Sequence, residues 1–160
     1  MVKEGLEFLQ FPSPRAMEKF RILIVDDNVF FRKALTERLQ MSFPAVAINE
    51  VADGGEVLRE VDAFLPDLIF MDIKLSGING LELTKKIKAV HPNVIILIIT
   101  SYDLFEYRDA ASQYGANRFL PKASFNWREL EELVKSYQKV QESRSQSVVV
   151  EAAAQKLPTE

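Results

Sequence analysis

Short apolar, β-branched runs alternate along this chain with segments of helical period, and each central run stops on a short polar residue. Ile22, Leu23, Ile24 and Val25 stop at Asp26-Asp27. A strand that is apolar on both faces must be covered on both sides, which is the condition of a parallel sheet between layers of helices. Asn28 follows as a helix cap, and Phe31, Ala34, Leu35 and Leu39 recur at helical spacing before Pro44. The alternation continues with strands expected at Val46 to Val51, Asp67 to Met71, Val94 to Ile99 and Asn117 to Leu120. Helices are expected at Gly54 to Phe64, Gly80 to Val90, Leu104 to Tyr114, and Trp127 to Gln141. Five strands alternating with five helices predict an α/β fold, a doubly wound parallel sheet.

At 160 residues the chain supports one domain with trimmings. Residues 1–19 read as an N-terminal extension, 20–141 as the folded domain, and 142–160 as a flexible C-terminal tail rich in Ser, Gln, Ala and Glu. Zero cysteines and one histidine exclude disulfides and leave little for a zinc site, so any metal must be a hard cation held by oxygen. The longest apolar run, Val94 to Ile99, is far short of a membrane span, and no signal pattern opens the chain. The expected setting is cytoplasmic, with no membrane partner. A net charge of −3 and a pI near 5.4 provide no basic footprint, so no nucleic acid partner is expected for this chain itself.

In an open parallel sheet, ligands bind beyond the carboxyl ends of the strands. Here those ends carry Asp26-Asp27, Asp72, Thr100-Ser101 and Pro121-Lys122. A single Asp after a strand is usually a cap or a turn former; agreement among four strand ends argues for a site. Three carboxylates on one rim repel one another unless a cation sits among them, and an oxygen-only donor set suits Mg2+. A carboxylate can act as nucleophile toward phosphorus, a lysine supplies a point charge for phosphate oxygen, and a hydroxyl donates to another. Phosphoryl transfer is mostly positioning and charge neutralisation, so this set is chemically sufficient.

The order Asp-Asp, Asp, Thr, Lys on one βα repeat resembles the receiver domains of two-component signalling. The segments that carry it are ILIVDDNVFFRKAL, PDLIFMDIKLSGINGLEL, VIILIITSYD and GANRFLPKAS, together spanning about Phe20 to Gln141. Within the family, DDNVFFRKAL and the Lys followed by Ala-Ser look most like receivers of helix-turn-helix transcription regulators. The resemblance implies a flavodoxin-like strand order 2-1-3-4-5. It implies that Asp72 is the phosphoacceptor, that Asp26, Asp27 and Asp72 bind Mg2+, and that the Lys74 backbone carbonyl is a further ligand. It also implies Thr100 as the switch hydroxyl, Lys122 as the phosphate-binding lysine and Phe119 as the aromatic switch. The partners it implies are a sensor histidine kinase or phosphotransfer protein upstream, and self-association or another protein downstream. Three positions depart from the common pattern: Pro121 precedes Lys122 and Ala123 follows it, Ser76 stands where Pro often opens the loop, and Phe119 replaces Tyr.

Other residues have plainer readings. The side chains of Lys74 and Tyr102 either screen the phosphoryl group or project into solvent. His91 suits a helix end, Trp127 suits a packing role, and Arg128, Glu129, Glu131 and Glu132 suit a solvated helix face. Two rival functions are weaker. A phosphatase of the haloacid-dehalogenase type needs a second Asp two residues after the nucleophile, where this chain has Lys74. A pseudo-receiver would not need the complete set of polar residues. The expected function is therefore signalling, with no enzymatic chemistry beyond phosphorylation and dephosphorylation of Asp72.

Overall fold

The computed structural model describes residues 19–154. In chain order the elements are β1 (Arg21–Val25), α1 (Val29–Ser42), β2 (Ala47–Val51), a 3-10 turn (Gly54–Glu56) leading into α2 (Val57–Phe64), β3 (Leu68–Met71), α3 (Gly80–Val90), β4 (Ile95–Thr100), α4 (Phe105–Gln113), β5 (Arg118–Pro121) and α5 (Trp127–Ala154). All strand pairs are parallel, in the order β2-β1-β3-β4-β5. The predicted order is the observed one.

The alternation of side chains along the strands divides the core into two layers. Leu23, Val25, Ile69, Met71, Ile96 and Ile98 face one side and pack with Val57, Val61, Leu83, Ile87 and Ala111 from α2, α3 and α4. Ile22, Ile24, Phe70, Leu97 and Ile99 face the other and pack with Leu35, Leu39, Leu130 and Val134 from α1 and α5. Every residue of β3 is fully buried, as the continuous apolar run requires of a central strand.

Caps and close approaches set where the helices begin. Asn28 Oδ1 accepts from the N–H groups of Phe30 and Phe31, and Asn79 Oδ1 accepts from those of Leu81 and Glu82. Gly80 opens α3 against the end of β3: a Cβ there would lie 1.9 Å from the carbonyl oxygen of Asp72. Only a residue without a side chain lets the helix start so near Asp72.

The C-terminal helix differs most from expectation. It runs 28 residues to Ala154 rather than ending near Gln141, so residues 142–154 of the expected tail are helical. Gln141 still reaches back to the sheet region, donating from Nε2 to Asp67 Oδ1 at 3.0 Å. Beyond it Val148 is exposed, so the polar composition that suggests a coil is that of a helix leaving its core. The remaining parts of the extension and tail, 1–18 and 155–160, lie outside the described residues.

Replacing Gly80 with Ala should destabilise the protein by about 1–3 kcal/mol, since α3 or the end of β3 must shift to make room. Urea denaturation measures this; an unchanged midpoint would contradict the close approach.

Candidate functional site

Sheet register carries the polar residues to one rim. Val25 lies opposite Met71 and Met71 opposite Ile98, so the residues that follow leave the sheet at nearly one level. The ladder continues past the strands: Asp72 N–H donates to Val25 O at 2.9 Å, Asp26 N–H to Val51 O at 3.1 Å, and Lys122 N–H to Thr100 O at 2.7 Å. Asp26, Asp72 and Thr100 are therefore held by backbone bonds in the mouth of the core, each at most 5% exposed.

Carboxylate oxygens of Asp26, Asp27 and Asp72 all lie within 4.8 Å of one another. Asp27 is exposed at the edge of the group, and the other two are buried. Lys122 reaches in from the loop after β5, its Nζ 2.7 Å from Asp26 Oδ2 and 3.5 Å from Asp72 Oδ2, with the Phe31 ring centroid 4.2 Å away. Apart from that ammonium, Asp26 Oδ2 has no hydrogen-bond partner, and its other oxygen accepts from Asn28 N–H at 2.8 Å. A buried carboxylate oxygen left open beside two more acids is a donor set that a hard divalent cation fits.

Crowding and burial act on Asp72 directly. Its carboxyl rises from the ordinary 3.8 to about 6, first because burial penalises the charge and then because Asp26 repels it. Lys122, the Ile73 N–H and the Thr100 hydroxyl pull the other way without cancelling this. Asp72 Oδ1 accepts from Ile73 N–H at 2.8 Å, and Thr100 Oγ1 accepts from Tyr102 N–H at 3.2 Å.

The predicted site residues divide by role. Asp26, Asp27, Asp72 and Lys122 come together, and Thr100 is buried at the same rim. Phe119 on β5 is half-buried and packs against the core layer of Ile69, Ile98 and Ala111. The Lys74 side chain is exposed and neither covers the acids nor runs free: its Nζ lies 5.4 Å from the ring centroids of both Tyr102 and Tyr107. Hydrogen bonding with Tyr107, then the tyrosine charges, hold that ammonium above its usual range. His91 is remote, 3.0 Å from Asp62, and Trp127 packs 4.9 Å from Phe125.

Two contacts that brace the site, and one away from it, depend on partners distant in sequence. Arg32 braces the loop, donating from Nη1 to Asp26 O at 2.7 Å and from Nε to Glu50 Oε1 at 2.9 Å; its place one helical turn after Asn28 was the available signal. Gly54 N–H donates to Ser76 O at 3.0 Å and pins the loop after β3, a contact between loops that no local pattern announces. Glu131 is not a fully solvated member of its charge run: it accepts from Arg38 Nε at 2.6 Å and Ser42 Oγ at 2.8 Å.

The sequence profile of the response regulator receiver domain matches residues 22–135. The chain belongs to that family. The receiver is 32% identical over 109 residues to a protein-glutamate methylesterase/protein-glutamine glutaminase of Geobacillus kaustophilus, covering 68% of this chain and 31% of that protein. It is 30% identical over 104 residues to the uncharacterized transcriptional regulatory protein YesN of Bacillus subtilis, covering 64% of this chain and 28% of that protein. Among solved structures, the response regulator TrrA of Thermotoga maritima, in complex with Mg2+ and BeF, superposes with a TM-score of 0.65 at 35% identity, over 75% of this chain and 99% of that one. The receiver spans about a third of the length of these two relatives.

The raised Asp72 carboxyl predicts an unusual pH dependence for the metal-free protein. Between about pH 4 and pH 6 the folded state holds a proton that the unfolded state has released, so this group's contribution to stability falls as pH rises. In excess chelator, Asp72→Asn should be more stable than the parent by about 1–3 kcal/mol at pH 7.5, with the gap closing toward pH 4. Urea titrations at the two pH values check this; a gap that is absent, or constant with pH, would contradict the crowding.

Proposed function

We propose that this receiver accepts a phosphoryl group on Asp72 from a phosphohistidine of a sensor kinase or phosphotransfer protein, and passes the change to a protein partner. The observation that carries the reading is the buried Asp72 carboxylate lying among Asp26, Asp27 and the Lys122 ammonium. The carboxylate of Asp72 forms the new bond to phosphorus as the bond from phosphorus to the donor nitrogen breaks and the imidazole leaves with its electron pair. Asp72 Oδ1 is already engaged by Ile73 N–H, which fixes the plane of the carboxylate for attack by Oδ2.

Asp26 and Asp27, with the Lys74 carbonyl, are the groups that would hold Mg2+; bound there, it neutralises the acids and the phosphoryl oxygens. Lys122 needs only to exchange carboxylate oxygens for phosphoryl oxygens, because its ammonium is already at the rim. Thr100 supplies a hydroxyl hydrogen bond to a phosphoryl oxygen, and its movement frees space that Phe119 can enter. Phosphorylation then selects between two arrangements of the β4–α4 region, with the phosphoryl group as the ligand that prefers one. The identity to TrrA, whose structure carries Mg2+ and BeF, favours this reading over a receiver that works without phosphate.

Incubation with a small acyl phosphate and Mg2+ should add one phosphoryl group by intact mass, and Asp72→Ala should add none. Asp26→Ala and Asp27→Ala should weaken Mg2+ binding at least about tenfold in calorimetry, because each removes an anionic ligand. Phosphorylation of the Asp72→Ala protein, or Mg2+ titrations unchanged in both metal-site variants, would overturn the assignment.

A further inference from the structure

Outside the acid cluster, one chain of contacts joins the site to the surface. The Arg108 guanidinium of α4 lies 4.7 Å from the centroid of the Phe119 ring. The same group donates from Nε to Asp103 Oδ1 at 2.5 Å. Asp103 sits in the β4–α4 loop, three residues after Thr100, the buried hydroxyl at the rim. One planar cation thus binds a loop that begins at the site and covers the ring that stands on the next strand.

We propose that Arg108 is a positioning residue of the switch, a latch that keeps Phe119 in its present, half-buried place while the β4–α4 loop holds its present course. This rests on the reading of Thr100 and Phe119 as switch residues and adds the part that couples them. Arg108 and Asp103 are about half exposed, 45% and 50%, so solvent screens the pair and it adds little to global stability. Its geometry has a different use. A planar guanidinium offers its edge to a carboxylate and its face to a ring, so a bond at the edge also sets the plane over the ring; the round ammonium of a lysine has no such plane. The Asp103 bond fixes the edge, and the face then covers Phe119.

When Thr100 moves toward a phosphoryl oxygen, the loop carrying Asp103 moves with it. The guanidinium loses the anchor that holds its plane over the ring, and Phe119 is released to turn inward. Because Phe119 has no hydroxyl, no hydrogen bond of its own selects its present position, and the cation supplies that selection.

The test uses the full chain, with beryllofluoride and Mg2+ as phosphoryl mimic and Phe119 followed by aromatic NMR, its signal assigned with Phe119→Leu. In the parent protein the mimic should move the Phe119 signal. In Arg108→Ala, without mimic, that signal should already lie part-way toward the mimic-bound position. The apparent affinity for the mimic should rise about two- to tenfold, the range expected when one exposed cation–ring contact and its ion pair stop favouring the free state. Asp103→Asn should shift the signal in the same direction, Arg108→Lys should not restore the parent position, and the urea midpoint should stay near that of the parent. Arg108→Ala with the parent's Phe119 signal and mimic affinity would overturn the latch while leaving the switch intact. A Phe119 signal that the mimic fails to move in the parent would overturn the switch, and the latch with it.

Discussion

Burial of Asp72 beside Asp26, with Asp27 at the edge of the same rim, is the constraint on which the rest of the structure depends. Three acids with oxygens within 4.8 Å cannot all be charged and buried without compensation. The chain compensates in three ways: Asp27 stays in solvent, Asp72 holds its proton to about pH 6, and Lys122 places its ammonium 2.7 Å from Asp26. Each of these is incomplete, and incompleteness leaves the rim responsive. On the proposed reading, a divalent cation or a phosphoryl group would redistribute the same charges, and the region to answer would be the one that Thr100 anchors.

A rigid frame is needed to keep such a cluster together against its own repulsion. The parallel sheet provides it through register: backbone bonds from Asp72 to Val25 and from Asp26 to Val51 extend the ladder past the strands. Gly80 adds a helix start in contact with Asp72, and Arg32 holds the carbonyl of Asp26. The scaffold thus fixes the main chain of the acids, and one oxygen of each buried carboxylate is turned toward Lys122.

Much of this was legible in the amino-acid order, for identifiable reasons. Runs such as Ile22 to Val25 and Val94 to Ile99 are apolar on both faces and can only be central parallel strands, so the polar residues that end them must share one rim. Helix caps at Asn28 and Asn79 are local interactions and read directly from residue type. What was hidden depends on partners distant in sequence. Arg32 to Glu50, Glu131 to Arg38, and Gly54 to Ser76 are contacts that no window of neighbouring residues contains. The side chain of Lys74 met two tyrosines rather than the acids because its reach toward α4 depends on the packed loop. The length of α5 was missed for another reason: past Gln141 the helix has lost the core that imprints an apolar period on a sequence.

The relatives place this receiver beside proteins as different as a methylesterase and a transcriptional regulator, in each of which the matching stretch is about a third of the length. What it has in common with them is the receiver domain, which in this chain covers residues 22–135 and holds Asp72. The most direct measurement is a crystal structure of this receiver with Mg2+ and beryllofluoride. The account predicts beryllium bonded to an Asp72 carboxylate oxygen, a cation held by Asp26, Asp27 and the Lys74 carbonyl, and fluorides facing Thr100 and Lys122. Beryllofluoride bound at another residue, or a cation that does not touch the acid pair while Lys122 stays on Asp26, would contradict it.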